Sequence, residues 1–232
     1  MKASVAELAQ LPGVWRGGEL EHASQPVVAT GHEALDRELP GGGWPTGTLS
    51  EVLHDAVGIG EISFLAGALA RASADDRLVA WIDPPHLPYA PALAAAGIAL
   101  PRCLVVRPAH RDDSLWAAEQ ALRSGACGAL LFWLPCDEYA WLRRLQMAAE
   151  AGRAMAVLFR STAAERLSTP AHLRVTLTRE DGELHVRIPK RRGPPLTTPV
   201  RLAIGRSHRD DKPQQSRSAV HTVFAERPRA IA

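Results

Sequence analysis

Cysteine is scarce in this chain. Only Cys103, Cys127 and Cys136 occur in 232 residues, and no two have Cys-x-x-Cys spacing. That excludes a disulfide framework and the common zinc ribbons, and it suits reduced residues of a cytosolic protein. Long apolar runs are missing too, so no membrane span or membrane partner is expected. The opening MKASVAELAQLPGVW lacks the pattern of a secretory signal. Charge of one sign is also lacking. The formal net charge is +2, too small by itself to argue for nucleic acid, although the C-terminal part is the more basic. What is present is a hydrophobic share of 46%, enough for a sizeable core.

The most telling absence lies between Gly47 and Leu65, GTLSEVLHDAVGIGEISFL. An apolar strand, Leu49–Leu53, runs into a glycine-bearing turn and then an apolar segment able to open a helix. This is the frame of a phosphate loop, whose signature is GxxxxGK[ST]. Gly58 and Gly60 are there, but Glu61 and Ile62 stand where lysine and a hydroxyl residue belong. A carboxylate at that point repels the phosphates that the lysine neutralises, and isoleucine offers no oxygen to magnesium. The two glycines are compatible with an anion-binding nest or with an ordinary turn, and Glu61 favours the turn.

Strands and helices alternate from there. The pattern predicts strands at Leu49–Leu53, Leu78–Ile82, Cys103–Val106, Ala129–Trp133 and Ala154–Phe159. Helices are predicted at Ile62–Ala72, Tyr89–Ala96, Asp113–Arg123 and Tyr139–Ala151, with an earlier short one at Thr30–Leu39. The fold class is α/β, with a parallel sheet carrying helices on both faces. Asp181-Gly182 between Leu173–Thr178 and Leu184–Ile188 predicts a C-terminal antiparallel hairpin, and Leu196–Ile204 suits a further edge strand. Three regions follow: an N-terminal segment over 1–27, where Val5, Leu8 and Leu11 have helical spacing, one domain over 28–204, and a polar tail over 205–232 expected to be disordered.

TGHEALDRELPGGGWPTGTLSEVL resembles the lead into the phosphate loop of RecA-like recombinases, with Leu35, Asp36, Gly41–Gly43, Gly47 and Glu51 in matching places. LVAWIDPPH resembles that family's second core strand, and IPKRRGPP its basic segment near the end of the core. The resemblance implies a RecA-like core with a degenerate phosphate loop. Pro85 falls where the catalytic glutamate is expected, leaving Asp83 as the nearby acid. The strand Ala129–Trp133 ends in Trp133-Leu134-Pro135 instead of a magnesium aspartate. Arg160-Ser161-Thr162 replaces the sensor that links nucleotide state to DNA loops. The groups that stabilise charge in phosphoryl transfer are gone, which implies no catalytic residue, no cofactor and no metal.

RecA-like chains of this length without the ATPase residues resemble the ImuA family of translesion-synthesis accessory proteins. That resemblance implies a cytoplasmic, non-enzymatic role in SOS-induced mutagenesis. The implied partners are an ImuB-like inactive Y-family polymerase, an error-prone DnaE-type polymerase and RecA. SulA-like inhibitors of the division GTPase are the alternative. Lys190, Arg191 and Arg192 are the candidate contacts for DNA phosphate or for an acidic partner surface. Trp133 ends a strand where active ATPases are polar, so its ring is placed to fill a vacated nucleotide region.

Overall fold

The structure is a computed structural model. It describes residues 26–56, 58–74, 76–134, 137–194, 196–204 and 221–223, with the side chains of Arg111 and Asp112 left aside. Most of the segment read as an N-terminal helix lies outside the described residues.

Nine strands form the main sheet: β3 (Thr48–Leu53), β4 (Leu78–Ile82), β5 (Cys103–Val106), β6 (Cys127–Trp133), β7 (Met155–Arg160), β8 (Leu173–Glu180), β9 (Glu183–Lys190), β10 (Val200–Leu202) and β11 (His221–Val223). Their order is β10-β9-β8-β3-β7-β6-β4-β5-β11. From β8 to β11 every pairing is parallel, while β9 and β10 join antiparallel. A separate small sheet pairs β1 (Val27–Val28) with β2 (Trp44–Pro45). The hairpin turn falls at Asp181-Gly182, both with positive φ, the backbone that this dipeptide tolerates.

Successive residues of a strand face opposite sides, and the core divides accordingly. Val79, Trp81, Ala129 and Leu131 point to one side, where they meet Phe64, Leu65, Ala68 and Leu69 of α2 (Glu61–Ala72). Ala80, Ile82, Leu130 and Phe132 point to the other. There they meet α4 (Arg111–Arg123) through Leu115, Ala118 and Leu122, and α5 (Tyr139–Gly152) through Leu142, Leu145 and Ala148. Helices thus cover both faces. Cys103 and Cys127 are free and buried. Among the described residues, no helix is long and apolar enough to cross a membrane.

Three expectations are corrected. The helix read over Thr30–Leu39 shrinks to α1 (Glu33–Asp36), because Asp36 Oδ1 instead accepts the Thr30 N–H at 2.8 Å and closes a turn. The helix read over Tyr89–Ala96 is α3 (Ala90–Ala95). Within the stretch read as a disordered tail, His221–Val223 forms β11 beside β5. The rest of that stretch lies outside the described residues.

Candidate functional site

The loop between β3 and α2 is fastened from two sides. Asp55 accepts the Ser161 hydroxyl at 2.8 Å, the Thr162 N–H at 3.0 Å and the Thr162 hydroxyl. Those bonds, Thr162 first, hold its carboxyl below the usual carboxylate range. On the other side Arg179 of β8 donates to the carbonyls of Ile59 (3.1 Å), Gly182 (2.6 Å) and Ile204 (3.2 Å). Gly60 has φ +105°, and a Cβ there would lie 3.0 Å from the Arg179 guanidinium. The glycine therefore serves both the turn and the clasp.

Glu61 opens α2 and is 8% exposed. Its Oε2 accepts the Gly60 N–H at 3.1 Å. A helix N-terminus attracts negative charge, and here the chain supplies that charge itself. The second member of the missing pair, Ile62, is partly buried against the core. Gly58 also has positive φ, +71°.

A cavity of about 230 Å³ opens beside this helix start, bounded by Glu61, Trp81, Pro84, Pro85, Tyr89 and Trp133 among others. Trp133 stacks on Phe159 with ring centroids 4.4 Å apart and lies parallel to Trp81 at 6.2 Å. His54 meets the edge of the same array against Phe159 at 5.9 Å. Trp81, Trp133 and Phe159 thus form one aromatic row across β4, β6 and β7 on the face that α2 covers. The structure brings Glu61, Ile62, Pro85 and Trp133, four separate departures from the recombinase pattern, around one cavity. Asp83 is exposed, with φ +52°.

The sequence reading missed the most buried charge. Glu51 is fully buried in β3. It pairs with Arg160 of β7 at 2.9 Å and with Arg174 of β8 at 2.6 Å, and accepts the Thr169 hydroxyl at 3.0 Å. Arg160 also reaches Asp137 at 2.6 Å, and Arg174 donates to the carbonyls of Glu165 and Leu167. A signal was available, since arginine is out of place in the apolar runs MAVLFR and LRVTL unless a buried carboxylate receives it.

The three basic candidates do not share one role. The Arg191 guanidinium donates to the carbonyls of Pro194 and Glu38 and lies 3.6 Å from the Glu38 carboxylate. It therefore ties β9 to the end of α1. Lys190 donates to the Thr169 carbonyl at 2.8 Å, and burial, with Arg174 nearby, pulls its ammonium below the usual lysine range. Arg192 is exposed. Beside it His172 is also shifted down, first by burial and then by the charge of Arg192.

No family model matches the chain. The cell division inhibitor SulA of Edwardsiella piscicida is 36% identical over 90 residues, 39% of this chain and 54% of that protein. Protein RecA of Streptococcus mutans is 32% identical over 114 residues, 49% of this chain and 29% of that protein. The chain is related to SulA and to RecA. It spans about half the length of that SulA and less than a third of that RecA. The crystal structure of SulA from Pseudomonas aeruginosa aligns with 26% identity and a TM-score of 0.42, covering 49% of this chain and 97% of that one.

Proposed function

We infer that this protein is a RecA-like core with a degenerate phosphate loop, kept as a non-catalytic scaffold in damage-induced translesion synthesis, where it binds an ImuB-like polymerase homologue. One observation carries the reading: Glu61, Ile62, Pro85 and Trp133, four departures from the recombinase pattern, meet around one cavity. The Glu61 carboxylate sits on the Gly60 amide, and Trp133 stacks on Phe159 where a polar strand end would be needed. Relatedness to both SulA and RecA fits such a protein of the SOS response. Those likenesses to SulA and to RecA each cover half of the chain or less and support the scaffold and the inhibitor readings alike.

On this reading, Mg·ATP affinity is weaker than roughly 1 mM, and hydrolysis stays at background. Restoring lysine and threonine at Glu61 and Ile62 gives no turnover, because Pro85 and Trp133 still occupy the positions for the water-activating and metal-holding acids. Titration calorimetry with Mg·ATP checks this, and micromolar affinity would refute it.

If the basic end meets DNA, two cations are available instead of three. Binding then falls with salt at about −0.9 in log–log slope per phosphate contact, so replacing Lys190 and Arg192 by alanine flattens the slope by about two units. Arg191→Ala leaves the slope unchanged and costs stability instead. Salt titrations of the wild type and these variants on duplex DNA distinguish the cases, and salt-insensitive binding assigns the cluster to a protein partner.

The second reading, a division inhibitor, is favoured by the 36% identity to SulA. Cells decide between the two. Deletion should abolish damage-induced mutagenesis, overproduction should leave division normal, and the tagged chain should retain the ImuB-like protein after DNA damage. Filamentation on overproduction, together with intact mutagenesis in the deletion strain, would select the inhibitor.

A further inference from the structure

Six large hydrophobic side chains are exposed among the described residues, and four of them make two patches. Scattered single ones are ordinary on a folded surface, whereas clustered ones mark contacts. The first patch is the rim of the cavity beside Glu61, where Leu87 and Tyr89 are 63% and 51% exposed. Pro84, Pro85 and Pro88 stiffen this rim, and the Arg107 guanidinium fastens it by donating to the Pro84 carbonyl at 3.2 Å. Ile62, Leu93 and Ile98 make the cavity wall largely apolar. Its volume of about 230 Å³ falls below the roughly 300 Å³ at which pockets for whole small molecules begin, so it suits one inserted side chain. Two acids stand beside it, Glu61 in the wall and the exposed Asp83 next to Pro84. Neither joins an ion pair among the described residues.

The second patch lies on α5. Tyr139 and Met147 are 47% and 53% exposed, and Arg143 is exposed between them. The three stand at i, i+4 and i+8, so they share the helix face turned away from the buried Leu142, Leu145 and Ala148. Arg143 joins no ion pair among the described residues. Its neighbour Arg144 shares the single carboxylate of Glu119 with Arg123, and Glu150, one turn on, is engaged by the Gln146 amide. Tyrosine, methionine and arginine are the residue types enriched in protein interfaces. Methionine is also the flexible side chain that fills irregular gaps.

The two patches complement each other. One is a cavity with unpaired acids, the other a protruding apolar stripe with an unpaired arginine at its centre. They cannot meet within one molecule, because the cavity opens on the α2 side of the sheet and α5 covers the opposite side. We propose that the cavity receives the α5 stripe of a second copy of this chain. Met147 enters beside Leu87 and Tyr89, and Arg143 meets the acids at the cavity edge. Because the two patches differ, the contact is heterologous. Each added copy leaves one cavity and one helix face free, so copies join head to tail into open chains or closed rings. This goes beyond the functional reading and does not depend on which partner the protein serves.

Analytical ultracentrifugation of the full chain tests this, with Leu87→Asp to block the cavity side and Met147→Asp to block the helix side. The mass of the wild type should grow with concentration past that of a dimer, and salt should oppose the growth by screening the charges. Each variant alone should be a monomer. An equimolar mixture of the two should form a one-to-one dimer and nothing larger, because only one productive pair of faces remains. Adding Arg143→Glu to the Leu87→Asp chain should weaken that dimer at least tenfold. If either substitution lowers the melting midpoint, Tyr89→Glu and Arg143→Glu take the two blocking roles. A wild type that stays monomeric throughout its soluble range, or a mixture that does, overturns the proposal. A variant that still dimerises alone also overturns it, since the contact would then be isologous.

Discussion

Replacing Glu51 by leucine should lower stability by about 3–5 kcal/mol, because the arginines at 160 and 174 would be left buried without their shared carboxylate. Both guanidinium groups are almost wholly buried, at 3% and 5% side-chain exposure, and burial of an unpaired charge is the costly half of such a network. Asp137 stays with Arg160, so the greater part of the loss falls on Arg174, one of whose terminal nitrogens already lacks a partner. For a chain of this size each kcal/mol shifts the midpoint by about 2–4 °C, so a fall of roughly 10 °C is expected in a thermal melt. Replacing Glu51, Arg160 and Arg174 together by apolar residues should recover much of it. A melting point unchanged in Glu51→Leu would show that the network contributes nothing.

The second large effect is expected at Gly152, the last residue of α5. A Cβ there would lie 1.7 Å from the carbonyl oxygen of Leu122 in α4. The obstacle is backbone, so no side-chain rotation relieves it and the two helices must separate. Gly152→Ala should therefore cost about 3 kcal/mol or more, at the upper end of overpacking penalties. Urea denaturation with an unchanged slope and a lowered midpoint would report it. A neutral result would mean that α4 and α5 do not pack as closely as described.

The alternation of apolar strands with helices was readable because each element buries one stripe or face, and its period survives in the sequence. Thus β4 and β5 fall where the pattern puts them, and β3, β6 and β7 differ from it by one or two residues at their ends. The two-residue strands at Val27 and Trp44 and the three-residue β11 are too short to carry a period. The site was legible as a set of departures at Glu61, Ile62, Pro85 and Trp133. Their meeting around one cavity was not, because it depends on strand order. The Glu51 network escaped for the same reason. Arg174 lies directly opposite Glu51 across β3 and β8, a neighbourhood that no local pattern records. Arg191 shows the converse. Three adjacent cations look alike in sequence, and only their surroundings separate a tie to Glu38 from an exposed charge.

The position of β3 between β7 and β8 has a consequence for a chain emerging from the ribosome. The strand is made early, but Glu51 waits 109 residues for Arg160 and 123 for Arg174. At about 5–20 residues per second this interval lasts roughly 6–25 seconds. Throughout it the backbone N–H and C=O groups along both edges of β3 have no partner strand, and contacts of such long range close slowly even once both sides exist. Birth of this protein is thus its most exposed moment, and the burden of shielding the unfinished sheet falls on the chaperones that meet the nascent chain.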